Sequence, residues 1–313
     1  MKLIKPKFWD NKINFISIFL FPLSLIFLFI IFLKKILTTV HKFKIPIICV
    51  GNIYIGGTGK TPTAILLSKE ISKLGKKTAL LRKYYKNHVD EYKLIKNKFN
   101  NLIIGKDRTA AIRKLEKKDL DFVILDDGLQ DYSIKKNLII VCFHSNQLVG
   151  NGLILPSGPL REKLNVLKKA DIVIINGNKA KNFEKKILKI NRNLEIFYSR
   201  YRATNIKQFR NKKLYAVAGI GNPENFFQLI EDNNLKIKKK LVFPDHYKFS
   251  RNEIKKIVDE ARLKNYQVIM TEKDYFKIKD FKINNIGYLK VTLEIKLKQK
   301  LIMKIMKLYD KNY

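Results

Sequence analysis

The longest apolar stretch of the chain is residues 15–33, FISIFLFPLSLIFLFIIFL, interrupted only by Ser17, Pro22 and Ser24. At a helical rise of 1.5 Å per residue it would reach about 28 Å, close to the ~30 Å hydrocarbon core of a bilayer. Its length, and the absence of a small-residue cleavage site after it, argue against a signal peptide. Lys34, Lys35, His41, Lys42 and Lys44 follow instead. The pattern predicts a membrane-anchoring helix within residues 1–40. Lys2, Lys5, Lys7 and Lys12 lie on the other side, so flanking charge leaves the orientation open. Pro22 permits a kinked or re-entrant segment with both ends on one side.

Beyond this run the hydrophobic period changes. Residues 45–50 (IPIICV) read as a short strand ending at Gly51, 61–74 as a helix, 77–81 as a strand and 102–104 as a weak strand. A helix over 108–117 precedes a strand at 122–125, closed by Asp126 and Asp127, and strands follow at 138–143 and 172–175. Strands alternating with helices predict an α/β fold, a mostly parallel sheet covered on both faces, with ligand-binding loops along one edge. A charged stretch, 179–202, leads to new strands at 214–218, near Val242, at 268–271 and at 288–291. The expected division is therefore an anchor over 1–40, a nucleotide-binding domain over 41–205 and a smaller α/β domain over 206–313. Residues 296–309 alternate Lys with Leu, Ile and Met at helical spacing. A packed terminal helix is favoured there over a membrane-surface one.

Composition narrows the classes. With 46% hydrophobic and 29% charged residues in 313, the chain is globular rather than disordered. Two cysteines exclude a disulfide scaffold and a four-cysteine zinc site, and four histidines disfavour a histidine-rich metal cage. The net charge is +37, with arginine supplying ten of the 64 basic residues. A sequence-reading nucleic-acid surface would lean on arginine, so no nucleic-acid partner is expected. Lysines spread along the whole chain reflect either compositional drift or an anionic partner such as a membrane surface. No protein partner can be inferred.

The most specific local signal is VGNIYIGGTGKTP at 50–62, placed after a strand and opening a helix, the context a P-loop requires. Gly56, Gly57, Thr58 and Gly59 would curl the backbone so that its N–H groups face phosphate oxygens. Lys60 would reach the β- and γ-phosphates and Thr61 would offer its hydroxyl to Mg²⁺. The usual pattern needs glycine at position 54, where this chain has Tyr54. Asp126 and Asp127 sit where a Walker B carboxylate would, as a magnesium ligand plus a second polar role, or else as a helix-capping turn. No [NT]-K-x-D guanine box occurs, which favours ATP over GTP.

Several segments together resemble the tetraacyldisaccharide 4′-kinases of lipid A synthesis. They are the apolar N-terminal segment, the phosphate loop at 50–62, Asp90-Glu91, ILDDGLQ at 124–130, GNGLILPSGPLRE at 150–162, AGIGNPENFF at 218–227, FPDHYKFS at 243–250 and TEKDYFKI at 271–278. The resemblance accounts for Tyr54, because that family's loop lacks the first glycine. It implies two α/β domains with the site in the cleft between them. It also implies transfer of the ATP γ-phosphate to the 4′-hydroxyl of an acylated glucosamine disaccharide 1-phosphate. The setting would be the bacterial inner membrane, with its lipids as partners and the catalytic domains on the cytoplasmic side. By the same resemblance Asp90 is the expected base, assisted by His246, with Asp127 competing for that role. Arg161 would steady a phosphate, and Asp126 and Glu162 would join Thr61 as metal ligands. Gln130 is a candidate polar contact, and Lys273 and Asp274 either close the cleft or form a structural ion pair. The chain departs from the family after residue 82, where LRKYY reaches Asp90 through a short, glycine-free segment, and at Asp131, where the family has histidine. Open alternatives are a kinase of another glycolipid and a membrane-anchored P-loop ATPase acting as a switch.

Overall fold

The computed structural model describes residues 6–10, 13–86, 89–245 and 247–310; Asp90 is described by its backbone alone. The elements run α1 (Phe15–Phe19), α2 (Phe21–Leu37), β1 (Ile47–Gly51), α3 (Lys60–Lys73), β2 (Thr78–Lys83), α4 (Val89–Lys98), β3 (Leu102–Gly105), α5 (Arg108–Leu115), β4 (Phe122–Asp126), β5 (Leu138–His144), β6 (Ile172–Asn176), α6 (Lys181–Ile190), β7 (Glu195–Ala203), β8 (Lys213–Ala218), α7 (Pro223–Glu231), β9 (Lys236–Val242), α8 (Arg251–Leu263), β10 (Tyr266–Thr271), α9 (Glu272–Ile278), β11 (Ile286–Leu289), β12 (Val291–Ile295) and α10 (Lys298–Asp310). The described residues form two compact units. The larger lies within residues 6–88, 95–200 and 294–313, the smaller within 89–94 and 201–293. The terminal helix α10, expected with the C-terminal domain, belongs to the larger unit.

An eight-stranded sheet has the order β12-β7-β6-β5-β1-β4-β2-β3. The pairings of β1 with β4 and β5, of β2 with β3 and β4, and of β6 with β5 and β7 are all parallel. The expected mixed α/β class, with a large, mostly parallel sheet, is therefore present. Strand β1 is buried at every position, as a central strand covered on both faces must be. Helix α3 packs on β1, β2 and β4 and buries Ala64, Leu67 and Ile71. The helical spacing at the C-terminus does produce a packed helix: α10 buries Leu301, Ile302 and Ile305 and pairs Lys298 with Glu70 on α3 at 2.8 Å.

The smaller unit carries a four-stranded parallel sheet, β11-β10-β8-β9. Alternate residues of β8 face opposite sides: Ala216 and Ala218 pack in a cluster with Phe226 and Ile230 of α7, Tyr215 and Val217 in one with Ile254 and Val258 of α8. That alternation is the period of two of a pleated strand. Two readings of the pattern need correction. The strand expected at 288–291 is two strands, because the chain leaves the small sheet after Leu289 and β12 joins the large one. The charged stretch 179–202 holds α6 and most of β7, whose apolar positions are diluted by lysine.

The apolar run is also corrected. It does not form one helix: α1 ends at Phe19 and α2 restarts at Phe21, with Pro22 in its first turn. Proline supplies no N–H to the preceding turn and crowds the carbonyl four residues back. Among the described residues no helix is long and apolar enough to cross a membrane. Both serine interruptions face the protein. Ser17 and Ser24, one heptad apart, are both buried. Ser24 Oγ donates to the Ile154 carbonyl at 2.9 Å and lies within hydrogen-bond distance of Ser157 Oγ, at 2.8 Å, and Asn151 Nδ2 donates to Ser17 Oγ. Phe15, Phe19, Ile26, Phe29 and Ile30 are exposed. The pair thus turns its two serines, together with Phe27 and Leu28, to the protein and leaves an apolar side exposed.

Candidate active site

Strand β1 delivers the chain into the loop 52–59, and Gly59 starts α3 with φ of 88°, a left-handed geometry that glycine adopts without a Cβ clash. The loop is held from inside by Asn52, whose Nδ2 donates to the Tyr54 carbonyl at 2.7 Å and to Thr58 Oγ1 at 2.8 Å. Gly56 and Gly57 remain exposed at its rim while Thr58 and Gly59 are buried. The residue that breaks the usual pattern has its own place. Tyr54 bridges Leu160 across the backbone, packs in the core beside Ile53 and Leu160 and donates its hydroxyl to Asp10 at 2.7 Å. Glycine at 54 would forfeit that packing.

Strand β4, adjacent to β1, ends at Asp126. Thr61 Oγ1 donates to the Asp126 carboxylate, 3.0 and 3.1 Å from its two oxygens. Arg82 Nη1, from β2, donates to the same carboxylate at 2.8 Å. Asp126 is fully buried. Burial pushes its carboxyl above the ordinary range, and the charges of Arg82 and Lys60 recover only part of that cost. Asp127 differs. Its backbone is left-handed, φ 56°, a conformation aspartate tolerates better than most residues. Arg161 Nη2 lies 2.9 Å from its Oδ1 and Lys60 Nζ 3.9 Å from its Oδ2. Burial acts upward on this carboxyl too, but Lys60 and Arg161 together outweigh it and hold the group below the usual range.

The turn carrying these two carboxylates is propped by residues the sequence pattern did not single out. Arg108 Nη2 donates to the backbone carbonyls of Asp126 and Asp127 at 3.0 and 2.9 Å. It is buried at the start of α5, which Asp107 caps. Only the folded chain reveals these roles, because Arg82 and Arg108 sit in ordinary strand-end and helix-start contexts. A Cβ on Gly128 would stand 2.8 Å from Leu125 Cβ and 3.3 Å from Cys49 Sγ, so the turn closes on β1 only with glycine there. Gln130 Nε2 donates to the Asn52 carbonyl at 3.0 Å and so supports the loop from behind. Arg161 bonds the Asn52 carbonyl and side chain as well as Asp127.

Lys60, Thr61, Asp126, Asp127 and Arg161 are therefore brought together around the loop. Glu162 has its ion partner outside this group: its Oε2 is 2.8 Å from Lys35 Nζ of α2, while its Oε1 is buried without a hydrogen-bond partner. In the smaller unit, Lys273 Nζ lies 2.8 Å from Glu91 and 3.2 Å from Asp245. Burial lowers the Lys273 pKa, but the two carboxylates more than compensate and leave it above the ordinary value. Asp274 is fully buried, accepting from the Gly219 amide and the Thr271 hydroxyl, both at 2.7 Å, and pairing with Lys277; it is a structural member of α9. The candidate base Asp90 has a described backbone at the start of α4, but its side chain, like all of His246, lies outside the described residues.

A glycine-rich turn between a central parallel strand and a helix, opposed by a strand-end aspartate, defines a P-loop nucleotide-binding protein. The family model of tetraacyldisaccharide-1-P 4′-kinase (LpxK) matches residues 16–309. The tetraacyldisaccharide 4′-kinase of Pelagibacter ubique strain HTCC1062 is 40% identical over 316 residues, covering 100% of both chains. That of Francisella tularensis subsp. novicida strain U112 is 34% identical over 325 residues, covering 92% of this chain and 98% of its own. Among solved structures, LpxK from Aquifex aeolicus in complex with ATP superposes with a TM-score of 0.71 at 21% identity, over 94% of this chain and 99% of that one. The chain belongs to the tetraacyldisaccharide-1-P 4′-kinase family and is an ATP-dependent kinase.

Proposed function

We propose that the enzyme transfers the γ-phosphoryl group of ATP to the 4′-hydroxyl of an acylated glucosamine disaccharide 1-phosphate, working at the inner-membrane surface with its catalytic residues on the cytoplasmic side. The observation that carries this reading is the meeting, in one unit, of a phosphate loop with paired carboxylates and of two helices whose outward faces are apolar. A lipid-borne acceptor keeps its acyl chains in the bilayer, so its kinase must sit at the interface. The exposed side of α1 and α2 suits shallow insertion, as an interfacial rather than a spanning element.

In the reaction the acceptor oxygen attacks the γ-phosphorus, the bond to the β–γ bridging oxygen breaks, ADP leaves and the hydroxyl proton passes to a base. Loop amides from residues 56–61 and Lys60 would neutralise the phosphates, and Arg161 would add a forked donor at their outer end. Asp127, held by two cations, is a weak proton acceptor. It orients Lys60 and Arg161, which leaves Asp90 with His246 as the proposed base. The oxygen donors Thr61 and Asp126 fit Mg²⁺, and the partnerless Oε1 of Glu162 is a third candidate. Among the described residues no group of three or more His, Cys, Asp or Glu forms a metal cage. When bound, the ion would screen the β- and γ-phosphate charge.

The test is incubation with γ-labelled ATP and the acylated disaccharide 1-phosphate in vesicles. Label in the lipid is expected. Phosphate release without lipid label would replace this reading with an ATPase switch.

A further inference from the structure

Residues 154–162 form a strip with two neighbours. On one side it pairs with the phosphate loop: the Ile55 amide donates to the Pro159 carbonyl at 2.9 Å, the Arg161 amide to the Ile53 carbonyl at 2.7 Å, and Tyr54 bridges Leu160. On the other side it carries α2 through Ser24, bonded to Ile154 and Ser157, and through Lys35, paired with Glu162. Any displacement of α2 is therefore delivered to the strip whose last two residues are Arg161 and Glu162.

The charges make the second of these contacts decisive. The Glu162 side chain is only 1% exposed. One of its oxygens has no partner, and the Nε of the neighbouring Arg161 is likewise buried and unpartnered. Each of these two consecutive, oppositely charged residues thus keeps unused bonding capacity. Lys35, itself 43% exposed and 4.9 Å from the Tyr132 ring centroid, neutralises Glu162 from outside. Tyr132 reinforces the arrangement; its phenol is pushed up by burial and by hydrogen bonding and charge from Glu162. Without Lys35, a nearly buried carboxylate loses its ion partner, a costly state. Arg161, the preceding residue of the strip, would then compete as the replacement with Lys136, whose charge also acts on Glu162, and would be drawn away from Asp127.

We infer that Lys35 is a positioning residue that couples the seating of the apolar helix α2 to the placement of Arg161 on Asp127, so that membrane engagement sets the phosphate end of the site. The inference rests on the lipid-kinase reading above. Lys35 stands in the last turn of α2, where a lysine can hold its charge at headgroup level while its stem lies along apolar surface.

Two measurements decide it. Wild type, Lys35→Met and Lys35→Arg are compared on acceptor-bearing vesicles, with vesicle binding followed by flotation. Lys35→Met is expected to bind vesicles as wild type does and to keep its KM for ATP within about two-fold, while kcat falls about ten-fold; Lys35→Arg recovers most of the loss. An unchanged kcat, or a loss that only tracks vesicle binding, overturns the inference. Should Lys35→Met not fold, hydrogen exchange on wild type with acceptor-free vesicles answers the same question. Amides of 154–162 should gain protection together with α2, and protection confined to α1 and α2 overturns it. A wild type that releases phosphate without labelling lipid sinks the lipid-kinase reading alone, since the exchange experiment uses no acceptor.

Discussion

The hydroxyl of Thr61 and the carboxylate of Asp126 face each other at 3.0 and 3.1 Å across two neighbouring elements, the first turn of α3 and the end of β4. Asp126 is buried enough that its ionised form is costly. It is paired with the buried guanidinium of Arg82. Asp126→Asn should lower kcat by about 100-fold or more and should also lower the thermal midpoint of the nucleotide-free protein, because the buried Arg82 guanidinium loses this carboxylate. A rise in midpoint measured by calorimetry would contradict this account.

Lys60, Asp127 and Asp90 have separable signatures. Lys60→Ala removes a phosphate contact and a partner of Asp127, so both KM for ATP and kcat should deteriorate. Asp127→Asn loosens Lys60 and Arg161 and should likewise raise KM for ATP. Asp90→Ala should leave KM for ATP within about three-fold while lowering kcat about 100-fold, as loss of a base does. Steady-state kinetics on the three variants check this; a nearly silent Asp90→Ala would move the base to Asp127.

Lys273 binds Glu91, the residue after Asp90, and Asp245, the residue before His246. Lys273→Met should therefore weaken use of the acceptor while leaving nucleotide affinity unchanged, a split readable by varying each substrate. The pKa of Lys273 is raised in the folded state. Its stabilising contribution is fully present below the ordinary lysine value of about 10.4 and is lost as pH rises through the higher folded value. The difference in unfolding free energy between wild type and Lys273→Met should stay constant over about pH 7–9 and shrink as pH rises beyond the ordinary lysine value.

Ile26, Phe29 and Ile30 lie on one exposed side of α2. Replacing all three by serine removes apolar area worth roughly 1.5–3 kcal/mol per fully buried side chain. Flotation should show release from vesicles with ATP binding intact. Retention on anionic vesicles alone would assign the attachment to the lysine-rich surface.

Much of the nucleotide side was legible because it depends on local chemistry. Gly56, Gly57, Gly59, Lys60 and Thr61 act over one turn, and the apolar strands around them leave few places for a parallel sheet to form. Arg82 and Arg108 carried no such signal, and Lys273, singled out within TEKDYFKI, carried none that named its partners. Each is an ordinary basic residue in a lysine-rich chain, and its role comes from carboxylates or carbonyls 18 to 182 positions away. The run 15–33 misled in the opposite direction. Its hydropathy was strong, but hydropathy alone is blind to the break at Pro22 and to which side of a helix meets protein.

The chain's own sequence determined the phosphate loop, the alternation of strands and helices and the apolar character of the N-terminal segment, since these follow from side-chain size, backbone freedom and period. Tertiary structure alone decided which charges meet. It put Arg161 on Asp127, Lys35 on Glu162 and Lys273 between Glu91 and Asp245, because the energy of an ion pair depends on distance and burial, and neither quantity exists until the chain has folded.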